Sequence, residues 1–257
     1  MFSKELEIAR KAALEAGKVL EGLFGHLKKI EKKGEIDLVT EADLQSEKTI
    51  VDLIKTHFPQ DSILTEEGSG QSRDSDRIWI IDPLDGTTNF AHSFPFFAIS
   101  IGLEIKKEMV LGVVFNPHMN EFFEAVRTQG AFLNQKPIRV SNCAGLQDAL
   151  VATGFPYDIH HHSKELMTRF EKVMTRVQGV RRPGAASIDL CYVAAGRLDG
   201  FWEEKLKPWD TAAGSLIVQE AGGQVGNFQG QPYSPYHPSI IAGNPAIYEA
   251  LVRLLGS

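Results

Sequence analysis

The chain has 257 residues, 43% hydrophobic and 23% charged, enough to bury a sizeable core in one large domain or two smaller ones. Its formal net charge of −6 argues against direct nucleic-acid binding and against an anionic membrane surface, but not against an anionic substrate, because bound cations reverse the sign of an acidic pocket. Two cysteines, Cys143 and Cys191, offer neither a disulfide framework nor a CxxC zinc spacing, so both read as inert in a reducing cytoplasm.

Phe2, Leu6, Ala9, Ala13, Ala16, Leu20 and Leu23 recur at alternating steps of four and three, one face of an amphipathic helix. Glu5, Glu7, Glu15 and Glu21 interrupt the run, which rules against a signal or transit peptide. No stretch approaches the roughly 18 apolar residues of a membrane span. A second helix is predicted over about 41–57, with Thr40 as N-cap, Asp43 as its capping-box partner and Pro59 as the stop. A loop over 62–76, rich in Glu, Gly and Ser, holds the short apolar run Ile63-Leu64-Thr65 and then Glu66-Glu67-Gly68. Ile78-Trp79-Ile80-Ile81 reads as a buried strand. Strands over 97–105, 109–115 and 121–126 suggest an antiparallel meander, with a turn at Asn134-Gln135-Lys136-Pro137. This first half is an α+β pattern.

The second half alternates in an α/β pattern: a strand over 150–153, helices over 163–177 and 187–195, a strand over 200–203, a helix over 211–221, a strand over 239–242 and a closing helix over 245–255. A soft boundary falls near Asn142, dividing 1–142 from 143–257 without a low-complexity linker, so the halves are expected to pack tightly. His160-His161-His162 reads as a solvated loop, since consecutive residues share no helix or strand face that would suit one metal ion.

The chemistry concentrates in Asp82-Pro83-Leu84-Asp85-Gly86-Thr87-Thr88. Two carboxylates three residues apart follow a buried strand, and Pro83 between them restricts the backbone. Gly86 lets the chain approach a ligand closely, and the amides that follow can bind an anion. Cation-binding carboxylates beside anion-binding amides suit a metal–phosphate pair, and an all-oxygen donor set favours Mg²⁺ or Mn²⁺ over zinc. Asp210, ahead of Thr211-Ala212-Ala213-Gly214, reads either as the N-cap of its helix or as a further ligand.

Four motifs resemble the inositol monophosphatase family: Asp37-Leu38-Val39-Thr40-Glu41-Ala42-Asp43, Glu66-Glu67, Trp79 through Asp82-Pro83-Leu84-Asp85-Gly86-Thr87-Thr88 to Phe90, and Trp209-Asp210 leading to Glu220-Ala221-Gly222-Gly223. They stand in the family's order and span nearly the whole chain. The resemblance implies a layered αβαβα sandwich, combining α+β and α/β halves, of the inositol monophosphatase and fructose-1,6-bisphosphatase type. It implies one Mg²⁺ on Glu66, Asp82 and the Leu84 carbonyl, a second on Asp82, Asp85 and Asp210, and a third, weaker ion near Glu66, with Mn²⁺ as a substitute. Such ions would also relieve the repulsion among four crowded carboxylates. By the same resemblance Glu66, Thr87 and Asp43 are catalytic, with Thr87 and Asp43 orienting the attacking water. Leu84, Asp85, Gly86, Thr87, Gly184, Ala185, Ala186, Glu203 and Asp210 contact substrate, and Lys33 or Lys32 sits on a mobile loop at the site.

The implied activity is hydrolysis of myo-inositol 1-phosphate to inositol and phosphate by metal-activated water, in a homodimer inhibited by lithium. Family relatives hydrolyse fructose 1,6-bisphosphate, histidinol phosphate or 3′-phosphoadenosine 5′-phosphate, so other phosphorylated polyols, sugars or nucleotides stay open. An enterobacterial relative works with RNA polymerase, which keeps a regulatory binding role open as well. Two features bear on substrate. Glu203 and Glu204 are adjacent in a strand, so only one faces the pocket. Arg181-Arg182-Pro183-Gly184 departs from the family in its proline, and Arg182 is open to a second phosphate or to an acid across a dimer.

Overall fold

The computed structural model describes residues 2–27, 30–32 and 38–256, without the side chains of Ile30, Lys32 and His162. The first half runs α1 (Ser3–Leu23), β1 (Ile30–Lys32), β2 (Leu38–Thr40), α2 (Glu41–His57), β3 (Ser62–Thr65), β4 (Arg77–Asp85), α3 (Thr87–Ala91), β5 (Ala98–Ile105), β6 (Glu108–Asn116), β7 (Glu121–Val126), β8 (Ala131–Leu133) and β9 (Lys136–Pro137). The second continues with β10 (Leu150–Thr153), α4 (Ile159–Met174), β11 (Gly179–Arg181), α5 (Ala186–Ala194), β12 (Gly200–Glu204), α6 (Pro208–Glu220), β13 (Gln224–Gly226), β14 (Ser239–Gly243) and α7 (Pro245–Leu255).

Strands β3 to β9 form a seven-stranded sheet in chain order, parallel between β3 and β4 and antiparallel thereafter. A second sheet is ordered β11-β10-β12-β14-β13, with β10 parallel to both neighbours. Alternation along the strands assigns the layers. Trp79, Ile81, Ile99 and Ile101 turn to one face of the large sheet and pack on Ala9, Ala13 and Leu20 of α1 and Ile50 and Ile54 of α2. Ile80, Val114 and Phe123 turn to the other face, where Ile188 and Leu190 of α5 and Leu216 and Ile217 of α6 meet them. Phe201 and Ala242 of the second sheet cover the far side of α5 and α6. Trp202 and Ile241 point outward to Val173 of α4 and Leu251 of α7. The result is the expected αβαβα sandwich. Helix α6 lies directly on the large sheet because Gly112 has no side chain; a Cβ there would stand 2.6 Å from the Ala213 carbonyl oxygen.

Several local expectations are corrected. The loop over 62–76 contains β3, which finds a parallel partner in β4 and so needs no alternating pattern of its own. Of the turn at 134–137, only Asn134 and Gln135 turn, both at positive φ (47° and 65°), and Lys136 and Pro137 form β9. His160 and His161 are not in a loop: they are exposed in the first turn of α4, which starts four residues earlier than predicted. Helix α6 starts at Pro208, a residue suited to a first helical turn, so Asp210 is not the N-cap but lies within that turn.

Candidate active site

Strand β4 carries the two motif carboxylates to one cavity by a break in its register. Asp82 pairs with Ser100 and Asp85 with Ala98, so three steps along β4 match two along β5. In a regular strand residues three apart point to opposite faces. The extra residue, at Pro83, reverses the alternation, as bulges do. Ile80 faces α5 and α6, yet Leu84 faces the α1 and α2 side, and Asp82 and Asp85 both line the cavity between the large sheet and the second half.

Gly86 then turns at φ 90°, and a Cβ there would stand 2.9 Å from the Phe96 carbonyl oxygen. A side chain is excluded both by conformation and by contact. Thr87 opens α3, and its hydroxyl lies 2.9 Å from Asp43 Oδ1 and 3.0 Å from the Leu84 carbonyl oxygen. Asp43 is fully buried at the start of α2, where Oδ2 accepts the Thr40 amide at 2.8 Å and the Thr40 hydroxyl at 2.6 Å. One carboxylate thus closes the predicted capping box with one oxygen and receives Thr87 on the other. Burial raises the Asp43 pKa, while its bonds to Thr40 and Thr87 oppose the rise.

Glu66 follows β3, Asp210 stands in the first turn of α6, and both line the same cavity, of about 400 Å³. Asp210 Oδ2 accepts the Lys207 amide at 2.6 Å. Asp85 Oδ2 accepts the Ser187 amide at 2.7 Å and the Ser187 hydroxyl, 102 residues away, which docks α5 on the end of β4. Asn89 Nδ2 reaches the Pro183 carbonyl oxygen at 2.9 Å, holding the turn that carries Gly184, Ala185 and Ala186 against α3. All three residues of that turn line the cavity, as do Leu84, Gly86 and Thr87.

The electrostatics are those of crowded acids. Asp82 is held well above the usual carboxylate range, first by burial and then by Glu66, Asp85 and Asp210. Asp210 is raised by burial and by Asp85. Burial lifts Asp85 to about 6 against the hydrogen bonds from Ser187 and Ala186. Among the described residues no Lys or Arg is paired with Asp82, Asp85 or Asp210. Such a set fits a hard divalent cation in its donors, its burial and its uncompensated charge. No three acids among the described residues are drawn together into a finished metal cage.

On the opposite wall both Glu203 and Glu204 reach the cavity lining, against the expectation that only one would, but they differ in burial and partners. Glu203 shares the face of Phe201 and lines the cavity, only 8% exposed, with its carboxyl raised to about 8 by burial. Its carboxylate packs on Gly154, and a Cβ there would displace it. Glu204 turns to the other face and is bound by Arg169 of α4 at 2.7 Å. Arg182 is exposed at the cavity rim, and its charge acts on both Glu203 and Asp189, lowering each. Lys33 lies outside the described residues, as does Asp37, and the side chain of Lys32 is not described.

Two groups escaped the sequence reading. Asp189 lines the cavity, is 1% exposed, and its Oδ1 has no hydrogen-bond partner. Burial, Glu203 and Asp85 hold it well above the usual range. Its signal was a lone charge in the otherwise uncharged helix Ala186–Ala194. Glu47, buried in α2, accepts the amides of Glu67 and Ser69, and among the many charges of α2 nothing marked it.

A family model described as the inositol monophosphatase family matches residues 2–257. The chain is 46% identical over 255 residues to a Synechocystis sp. protein named inositol-1-monophosphatase, covering 98% of this chain and 88% of that one. It is 43% identical over 250 residues to a Salmonella typhimurium protein named Nus factor SuhB, covering 96% and 94%. Among solved structures, it matches the extragenic suppressor protein suhB from Bartonella henselae with a TM-score of 0.94 and 42% identity, covering 98% of each chain.

Proposed function

Because the chain belongs to the inositol monophosphatase family, and so is a phosphoric monoester hydrolase of a generally metal-dependent kind, we propose that it hydrolyses an inositol monophosphate with two or three Mg²⁺ ions. One observation carries this reading: Glu66, Asp82, Asp85 and Asp210, from three separate elements, line one cavity, and no Lys or Arg among the described residues pairs with the three aspartates. Glu66, Asp82, Asp85, Asp210 and the Leu84 carbonyl would hold the ions, which when bound activate water and offset the charge developing on phosphate.

The protein's own part is positioning. The Thr87 hydroxyl has one proton, and donating it to Asp43 leaves its oxygen free to accept from a water and aim it at phosphorus. Asp43 can hold Thr87 because Thr40 fixes its other oxygen. The Gly86 and Thr87 amides would take phosphate oxygens, while Gly184, Ala185, Ala186 and Glu203 would hold the polyol. The buried carboxyls of Glu203 and Asp189 on the wall opposite the metal-binding acids support a leaving group rich in hydroxyls.

The test is a kinetic panel with Mg²⁺ or Mn²⁺: inositol 1-phosphate, glycerol 2-phosphate, fructose 1,6-bisphosphate, histidinol phosphate and 3′-phosphoadenosine 5′-phosphate. Inositol 1-phosphate should give the highest kcat/KM, and absence of turnover on all five would sink the enzyme reading. Lithium should inhibit, and sedimentation should give a homodimer. The relatives named Nus factor SuhB favour a second reading, a partner in transcription. Affinity capture of RNA polymerase from lysate by the wild type and by Asp85→Asn would separate the two, since binding that survives loss of activity belongs to the second.

A further inference from the structure

Helix α2 presents Asp43, Ser46 and Glu47 at spacings of three and four, hence on one face. All three are buried, and each holds a different piece of the site. Asp43 receives Thr87, and the Ser46 hydroxyl donates to the Pro83 carbonyl oxygen at 2.7 Å, so one grip falls on the start of α3 and one on the bulged end of β4. The third falls on the loop after β3. Glu47 Oε2 accepts the Glu67 amide and Oε1 the Ser69 amide, each at 2.9 Å.

The loop is built to be held this way. Its base is closed by mutual hydrogen bonds between Ile63 and Gln71, at 2.8 and 2.9 Å. Between those ends, Gly68 takes φ 88°, a conformation that lets the flanking amides turn to one side, where Glu47 meets both. Lys55 adds a bond to the Ser69 carbonyl oxygen at 3.2 Å. Among the described residues no Lys or Arg pairs with Glu47 itself, although it is only 1% exposed. A buried carboxylate is costly unless its acceptors are filled, and these two amides fill them. The residue next to the clamp, Glu66, is carried by the loop beyond β3, whereas Asp82 and Asp85 stand on β4 and Asp210 on α6.

We propose that Glu47 is a positioning residue: by clamping the loop over 66–69 to α2 it fixes Glu66 against Asp82 and Asp85, and so sets the affinity of the cavity for a divalent cation. The proposal rests on the metal-dependent reading above. In Glu47→Gln the volume is kept, but the side-chain NH₂ must face one of the two amide donors, so one grip is lost. In Glu47→Asp the charge is kept, but the side chain is too short to span both amides.

Three measurements on the full chain test it. Amide hydrogen exchange of the metal-free protein should show Glu67 and Ser69 exchanging at least about tenfold faster in Glu47→Gln, with α1 protection unchanged. Calorimetric titration with MgCl₂ should give a Kd at least about tenfold weaker, while kcat at saturating Mg²⁺ stays within about threefold. Glu47→Asp should fall between the two proteins, and it serves alone should Glu47→Gln not fold. Faster exchange with an unchanged Mg²⁺ Kd overturns the proposal and leaves a purely structural clamp. Unchanged exchange overturns the clamp itself. A wild type that takes up neither Mg²⁺ nor Mn²⁺ overturns the metal-dependent reading and the proposal with it, whatever the exchange data show.

Discussion

Replacing Asp85 by Asn should make the metal-free protein more stable while ruining its metal site. Asp85 is 9% exposed, and its carboxyl is lifted from the ordinary 3.8 to about 6. At neutral pH the native state therefore carries a charge it would rather shed, at a cost of at most about 3 kcal/mol for a rise of that size. Asn removes the charge but keeps an oxygen that can accept from the Ser187 amide and hydroxyl, so the docking of α5 survives. It also removes one of the charges that raise Asp82 and Asp210. The sign with pH follows from proton counts. Between 3.8 and about 6 native Asp85 holds a proton that the unfolded chain has released, so wild-type stability falls as pH rises through that window. The advantage of Asp85→Asn should be near zero below about pH 4 and complete above about pH 6. Urea unfolding in EDTA across that range reads it directly, with equal m values expected. Added Mg²⁺ should reverse the order, because the wild type gains more binding energy. A variant less stable than wild type in EDTA at neutral pH, by an amount independent of pH, would refute the picture of a cavity strained by its own charge.

Three further outcomes follow from the site. Thr87→Val should lower kcat about a hundredfold or more with little change in KM, since a water-orienting group typically contributes on the order of 10²–10⁴; a kcat within about threefold of wild type would exclude that role. Above about pH 8, where Glu203 is ionised, Glu203→Gln should raise KM for inositol 1-phosphate about tenfold, the worth of roughly 1.5 kcal/mol in a hydrogen bond to a charged acceptor, and leave glycerol 2-phosphate less affected. Equal effects on both substrates would remove Glu203 from polyol recognition. Gly86→Ala, forced to φ 90° and set 2.9 Å from the Phe96 carbonyl oxygen, should lower the urea midpoint by about 1–3 kcal/mol in stability and abolish turnover. Unchanged stability and rate would mean the turn relaxes without harm.

The legible parts of this chain were those whose interactions are short in sequence. The stripe from Phe2 to Leu23 predicted α1, and Thr40 with Asp43 predicted the start of α2, because a capping box joins residues three apart. The stretch from Asp82 to Thr88 pointed to a metal–phosphate pair through its residue types alone, and Pro83 in a strand hinted at a break in register without saying where the carboxylates would point. The first turn of α4 was misread because three consecutive histidines look like a loop, although α4 packs through residues further along, among them Val173.

Tertiary structure decided everything that depends on which layer faces which. Strand alternation alone said that one of Glu203 and Glu204 faces the pocket; in the sandwich both line it, but Glu203 is buried on the α5 and α6 side of β12 while Glu204 is bound by Arg169 of α4. Sequence could not join Ser187 to Asp85 or Glu47 to Glu67 and Ser69, since those bonds exist only once β3, β4, α2 and α5 are packed. Periodicity and local hydrogen bonding are written residue by residue, so the helices, strands and two halves could be read from the chain itself, while the family, the layered fold and the reaction type followed from the resemblance of its motifs. Burial, the mutual charge of distant acids and the clamp on their loops arise only when the layers close, and they are what shape the cavity for one substrate rather than another.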